Sequence, residues 1–399
     1  MLLDSPRTEP WMDNWGQRFA KPARVCARCV YDEKVPSIQF DENGVCNYCR
    51  MHDQLDAGHP TGAEGAKVLE RLAGQIRQAG KGKPFDVAVG VSGGCDSSYL
   101  LIKAKELGLR PLAVHFDNTW NSTIAVENIS NVLGKLGVQL YTYVVDNEEY
   151  DDIYRSFLKA GVPDLESPTD IALATTLYLA CDKYKIKYMF EGHCFRTEGV
   201  SPLGWLYMDA QYINSVQKAF GTKKLKTFPN LWFWRQMRWM VMSRIKKIRP
   251  LYFMDYQKEA VKEMLAADYG WQWYGGHHLE NRMTHFYHTY FLPRRFGIDQ
   301  RANGFAALAR SGQMDRQEAL ELLRRPPAVD LELVAMVKKR LGLDDVRFEE
   351  LMEMPRHYYT EFKTYKRRFE RLRPLFWLLS EMDLIPKSFY MKYTSRQNI

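Results

Sequence analysis

One stretch restricts the fold more than any other: Val91-Ser-Gly-Gly-Cys-Asp-Ser-Ser98. It lies between an apolar run, Phe85-Asp-Val-Ala-Val-Gly-Val91, and a helix-like segment, Ser97–Leu107, that closes at Gly108. An apolar strand that turns through two glycines straight into a helix belongs in a sheet covered on both faces. The chain then repeats the pattern. Pro111–Phe116 reads as a strand, 124–136 as a helix closing at Gly137, and Val138–Val145 as a strand. A helix over Thr169–Lys185 leads into a strand at Lys187–Phe190. Strands alternating with helices at this spacing predict an α/β fold with a doubly wound parallel sheet.

In that turn the glycines let the backbone approach an anion, and the amides and dipole of the helix N-terminus favour negative charge. Ser92, Ser97 and Ser98 add hydroxyl donors beside Gly93 and Gly94. Asp96 repels a bare phosphate, so its presence implies a bridging Mg²⁺. The Gly-x-x-x-x-Gly-Lys and Gly-x-Gly-x-x-Gly patterns are absent here. Ser-Gly-Gly-x-Asp-Ser resembles the pyrophosphate loop of the N-type ATP pyrophosphatases, which adenylate a carbonyl or amide oxygen with ATP and expel pyrophosphate. The alternative is an ordinary glycine turn capping a helix. Cys95, at the variable position, reads as a small buried filler.

Further elements fit that resemblance. Glu191-Gly-His-Cys-Phe-Arg-Thr-Glu198 follows the fourth strand, where such sheets place ligands. Gly192 is expected beside the nucleotide. By resemblance to ammonia-using members, Glu198 is a second Mg²⁺ ligand beside Asp96; otherwise it is a surface carboxylate. His193 and Cys194 are adjacent on an extended segment and point to opposite faces, so they form no catalytic pair. Ile248-Arg-Pro-Leu-Tyr252 is similar to an Arg-Pro-Leu element that follows a helix in this superfamily. There Arg249 either steadies the leaving pyrophosphate or is a helix-terminal surface arginine. The main chain of Val114 and Phe116 lies where the superfamily seats adenosine; an apolar strand ending in a polar turn explains it equally.

The N-terminal region carries Cys26-Ala-Arg-Cys29 and Cys46-Asn-Tyr-Cys49, separated by a turn signal at Asp41-Glu-Asn-Gly44. Two Cys-x-x-Cys turns supply four soft ligands for a tetrahedral structural Zn²⁺ in a zinc ribbon. His52 lies close by, but four cysteines suffice. Asp56–Gly62 reads as a linker. The expected organisation is an N-terminal arm and ribbon over 1–60, a pyrophosphatase domain over 61–255 and a mostly helical substrate or partner region over 256–399. Helices are expected there at Gln257–Ala266, Arg316–Arg324 and Leu331–Leu341.

From residue 22 to about 325 the layout resembles the N-acetyl sugar amidotransferases of surface-polysaccharide biosynthesis. The discriminating stretches are Tyr269-Gly-Trp-Gln-Trp-Tyr-Gly-Gly-His-His-Leu-Glu-Asn-Arg282 and Leu292-Pro-Arg-Arg-Phe-Gly-Ile-Asp299. Where the family commonly has lysine, this sequence has His277 and Gln300, and no direct contact is assigned to either. The resemblance implies an AMP- and pyrophosphate-forming C–N ligase. The acetamido oxygen of a nucleotide-linked N-acetyl sugar is adenylated, and ammonia displaces AMP to give an acetamidino sugar for O-antigen or lipopolysaccharide. It also implies a separate glutaminase with a cyclase-like subunit, because no nucleophile elbow or N-terminal catalytic cysteine is present. His278, Asn281 and Arg282 either contact sugar or diphosphate or fill ordinary hydrogen-bonded structural roles. No His-x-x-x-His pair supports metal binding there.

The formal charge, 56 Lys+Arg against 48 Asp+Glu, permits phosphate-rich partners without requiring nucleic acid. No window reaches the roughly 18 apolar residues of a membrane span, and no secretory signal is read at the start, so a cytoplasmic location is expected. A single amphipathic helix is expected over 231–248, with apolar residues at 231, 234, 237, 241, 245 and 248. It packs on its own domain or a second copy in a homo-oligomer, or docks on a membrane surface. The basic run Lys363–Arg373 reads as the solvated side of a helix that buries Tyr365, Phe369 and Leu372. Two alternatives to the amidotransferase are a tRNA-thiolating or lysidine-type enzyme of the same superfamily and a non-catalytic nucleotide-binding scaffold.

Overall fold

A computed structural model describes residues 9–15, 24–202, 204–276, 278–382, 384–385 and 387–394. Its centre is a five-stranded sheet: β1 (Val87–Gly90), β2 (Pro111–Asp117), β3 (Gln139–Val144), β4 (Tyr188–Phe190) and β5 (Lys246–Ile248). All neighbours are parallel and the order is β3-β2-β1-β4-β5. Successive residues of one strand enter different cores. Ala88, Leu112, Val114, Phe116 and Met189 join one cluster, whereas Val87, Val89, Ala113 and Phe190 join the other with Ile76, Leu100 and Leu101. Both faces are therefore covered, which is why these strands are apolar throughout rather than alternating. Edge strand β3 is mostly exposed.

The crossovers are the helices Cys95–Glu106, Thr123–Leu136, and the pair Asn147–Ala160 and Ser167–Tyr184. Of these, Asn147–Ala160 has no counterpart among the sequence expectations. Local chemistry sets the ends: the Ser122 side chain accepts from Ala125 N, and Gly137 closes the same helix at φ +61°. The sheet order reverses direction beside β1, so the ends of β1 and β4 flank the switch point where such sheets bind ligands.

Beyond the sheet the chain is helical, with Lys258–Tyr269, Arg301–Arg310, Arg316–Arg324, Leu331–Leu341 and Asp345–Glu353 among the elements. The four-cysteine region packs against two of these through Ala306, Ala319 and Leu323. No helix among the described residues is long and apolar enough to cross a membrane.

Several expectations are corrected. Residues 231–248 do not form one helix. A short α-helix, Phe233–Met237, widens into i→i+5 turns over Arg238–Met242, and after Arg244 at φ +50° the chain enters β5. The strand wins because its backbone pairs with β4, and Ile248 O accepts from Glu191 N at 2.9 Å. The buried side chains are Leu231, Trp239, which stacks on Tyr178 at 5.1 Å, Met240 and Ile245, so only part of the expected stripe reaches the core, and Trp234 is 80% exposed. Arg-Pro-Leu thus follows a strand, not a helix. The stretch read as a linker starts inside a helix, Asn47–Gly58, connects it to the next helix through 59–61, and is packed down by His59 on Phe195, Tyr252 and Phe253. In the basic run Phe369 is buried, but Leu372 ends its helix and is exposed.

Candidate functional site

The turn after β1 has the form of an anion cradle. Gly94 caps the helix Cys95–Glu106. The first main-chain bond of that helix, Ser98 N to Gly94 O at 3.1 Å, leaves the amides of residues 95–97 outside the helical ladder. Gly93 sits at φ +83°, and a Cβ there would lie 2.3 Å from Ala125 O, so both backbone angle and space require glycine. Ser97 Oγ donates to Gly94 O (3.1 Å) and accepts from Ser92 N (3.4 Å); Gly94 N donates to Ser92 Oγ (3.3 Å). Ser98 is buried. The cradle is also held from a distance: Trp271 Nε1 and Asn128 Nδ2 donate to Gly93 O at 2.9 and 3.2 Å.

Gly192, two residues beyond β4, lies against the same helix start, where a Cβ would be in ordinary contact, 3.5 Å from Asp96 C and Ser97 N. Glu198, in the turn that follows, lies close enough to Asp96 for the two carboxyls to repel. Lys258 Nζ is 3.0 Å from Asp96 Oδ2, and Tyr256 donates its hydroxyl to Oδ1. Burial opposes the charge on Asp96, but the Lys258 ammonium and Tyr256 hydroxyl outweigh it and hold the carboxyl below its ordinary range. Glu198 goes the other way: burial, then repulsion from Asp96, drives its carboxyl well above the ordinary range. Two part-buried hard-oxygen donors, one of them driven toward protonation by burial and by the other, fit a divalent cation such as Mg²⁺.

Arg249 does not stand free to meet a phosphate. Its Nε pairs with Glu191 Oε2 at 2.5 Å, and its guanidinium donates to Tyr252 Oη at 3.2 Å. Lys247 reaches the other Glu191 oxygen at 2.7 Å. Burial opposes the Glu191 charge, yet these two cations hold it far below the usual carboxylate range. The expected pyrophosphate arginine is thus one member of a half-buried cationic pair around one carboxylate, and the pair keeps a net positive charge beside the site.

The other sequence candidates divide. Val114 O already accepts from Val91 N at 2.9 Å, so the adenine-reading role expected of it loses that carbonyl. Asp117 O accepts from Val145 N on the β3 side, which turns the Phe116 main chain toward β1, beyond the last residue of that strand. His193 bonds Tyr252 Oη and Gly199 O, both at 3.0 Å, and burial with Arg249 lowers it to about 4. Cys194 is buried and faces Leu251 O, so no Cys/His pair exists. Burial, with Asp96 beside it, pushes the Cys95 thiol up to about 11. Asn281 is consumed structurally: it caps the helix Arg282–Phe286 and donates to Asn118 Oδ1 at 2.9 Å. Arg282 is anchored by its main chain to Trp120 O at 2.8 Å, with an exposed side chain. His278 is exposed at φ +60°, 6.2 Å from the His288 ring. Gln300 accepts from Asn303 at 2.7 Å, and His277 lies outside the described residues.

Lys258, Tyr256, Glu191 and Glu280 were not singled out in the sequence. Glu280 is 8% exposed and accepts from Ser92 Oγ at 2.9 Å. Its only sequence signal is membership of the Gly-Trp to Asn-Arg stretch, and Lys258 has none.

Away from the cradle, Cys26, Cys29, Cys46 and Cys49 are fully buried, with sulfurs within 4.8 Å of one another. Measured contacts of 3.6, 3.7 and 3.8 Å match the edge of about 3.8 Å that a tetrahedron of sulfurs at about 2.3 Å from Zn²⁺ requires. Amides of Arg28 and Cys46 point at Cys26 Sγ at 3.4 and 3.3 Å, and the Arg310 guanidinium reaches Cys49 and Cys29 at 3.4 and 3.2 Å. Such donors stabilise thiolates, so the set fits zinc. His52 is outside it, packed on Phe195, with burial and Arg310 lowering it to about 4. The turn at 41–44 forms as expected, with Gly44 at φ +74° and Phe40 bridged to Cys46.

Residues 280–374 match the family model described as LPS biosynthesis protein WbpG-like, C-terminal domain. No curated protein matches the chain. Solved structures with some likeness include an NH3-dependent NAD synthetase from Campylobacter jejuni (12% identity, 74% of this chain and 99% of that one, TM-score 0.33). An NMN synthetase from Francisella tularensis has 12% identity, 73% and 98% coverage and a TM-score of 0.28. A predicted subunit of tRNA methyltransferase from Methanocaldococcus jannaschii has 15% identity, 45% and 75% coverage and a TM-score of 0.26.

Proposed function

We propose that the chain is an ATP-dependent amidotransferase acting on the acetamido group of a nucleotide-linked N-acetyl sugar for O-antigen or lipopolysaccharide. The observation that carries this reading is the Asp96–Glu198 pair set beside an amide-lined turn at the switch point of the sheet. The match of residues 280–374 to a lipopolysaccharide-biosynthesis domain supports the substrate class.

An amide carbonyl is a poor electrophile, so its oxygen first attacks the α-phosphorus of ATP and pyrophosphate leaves. The imidate-AMP then carries a good leaving group, and ammonia displaces AMP. In this reading the amides after Gly94, with Ser92 and Ser97, hold the departing pyrophosphate, and Gly192 lies beside the nucleotide. Asp96 and Glu198 hold Mg²⁺, which when bound neutralises charge on the pyrophosphate. Arg249 and Lys247 supply a fixed positive field, oriented by Glu191. No nucleophilic side chain is needed, because positioning and electrostatics lower the barrier. In this reading the exposed side chains of His278 and Arg282 meet the sugar diphosphate. Ammonia comes from a separate glutaminase and its cyclase-like subunit, in the cytoplasm.

The test is pyrophosphate release from ATP with Mg²⁺ and ammonium, comparing UDP-acetamido sugars with bulk tRNA. Release with an acetamido sugar is expected; release with tRNA alone would put the chain among the tRNA-modifying enzymes. An Asp96→Asn variant at full activity would remove the role given to that residue.

A further inference from the structure

Glu280 places a carboxylate where an anion cradle has least use for one. Its Oε1 accepts from Ser92 Oγ at 2.9 Å, and that oxygen in turn accepts from Gly94 N at 3.3 Å. A Cβ built on Gly94 would lie 3.2 Å from the same Oε1 and 3.2 Å from Tyr274 Oη, so the carboxylate converges on the turn. The residue is 8% exposed, and its Oε2 is buried with no hydrogen-bond partner. The main chain holds it there: Ser122 N donates to Glu280 O at 3.0 Å, and Asn281 is bonded to Asn118.

A buried carboxylate oxygen without a donor is unfavourable, and an incoming polyanion would add repulsion. Asp96 has Lys258 to offset its charge, whereas Glu280 has no ion pair among the described residues. The group that satisfies both Oε2 and a pyrophosphate is a hard divalent cation, which typically takes one or two carboxylates together with phosphate oxygens and water. We propose that Glu280 is a divalent-cation ligand at the Ser92 end of the cradle, a second cation site besides the Asp96–Glu198 pair. The inference rests on the reading that this turn holds the pyrophosphate part of ATP.

Binding of inorganic pyrophosphate to the full chain, titrated calorimetrically with and without Mg²⁺, tests it without catalysis. In wild type Mg²⁺ should tighten binding by about tenfold or more. Glu280→Gln should bind metal-free pyrophosphate better, because a repelling charge is gone, while losing most of the Mg²⁺ enhancement. A merely structural residue would weaken both together, and that outcome overturns the proposal, as does an unchanged Mg²⁺ dependence. If wild type binds no pyrophosphate under either condition, the reading of the turn itself fails. Should the variant not fold, electron paramagnetic resonance of Mn²⁺ bound to wild type with pyrophosphate decides. Two bound ions are expected at the cradle, and a single ion overturns the second site.

Discussion

Replacing Glu166 by glutamine should flatten part of the pH dependence of stability. Glu166 is 8% exposed, at the start of the helix Ser167–Tyr184, and its Oε2 accepts from Thr284 Oγ1 at 2.8 Å. It thus ties a crossover helix to the segment that begins the lipopolysaccharide-type domain match. Burial, with Asp170 adding to it, pushes the carboxyl up from the ordinary 4.5 to about 7. A raised acid binds its proton more tightly in the folded chain. The stability it contributes is complete below about pH 4.5, declines as the unfolded chain ionises, and is gone above about pH 7. A rise of that size corresponds to about 3 kcal/mol. The assay is urea denaturation of both proteins between pH 4.5 and 8. Other titrating groups cancel in the difference, so the stability of Glu166→Gln relative to wild type should climb by about 3 kcal/mol across that range. Glutamine keeps the acceptor for Thr284, so packing is little disturbed. Curves that stay parallel would refute the argument that burial keeps this acid protonated.

Two further outcomes follow from the geometry. Gly93→Ala should cost about 2–4 kcal/mol and abolish pyrophosphate binding, since φ +83° and a Cβ at 2.3 Å from Ala125 O both disfavour a side chain; thermal denaturation and calorimetry read the two effects. Metal analysis should find one zinc per chain. A chelator should lower the melting temperature and change the fluorescence of Trp205, whose ring lies 6.2 Å from Tyr31 in the four-cysteine region. Pure protein holding neither zinc nor iron would refute the site.

The cradle was legible because the residues that set its backbone path are local, although Trp271 and Asn128 brace it from a distance. Two glycines, three serines and an apolar run within fourteen residues dictate strand, turn and helix start, whatever the rest of the chain does. The four cysteines were legible for the same reason, as paired turns fix two ligands each. Misreadings occurred where long-range pairing overrode a local pattern. The helical periodicity of 231–248 gave way at β5, because the main chain there pairs with β4, while Leu231 and Ile245 of the stripe still enter the core.

Amino-acid order by itself therefore determined the α/β alternation, the glycine turn and the paired cysteines, because these depend on backbone angles and spacings within a few residues. Only the tertiary structure decided how charge is balanced around them. Lys258 meets Asp96 from 162 residues away, Glu280 meets Ser92 from 188, and Arg310 meets Cys49 from 261. Electrostatic partners are set by distance in space and by burial, and neither quantity is carried by spacing along the chain.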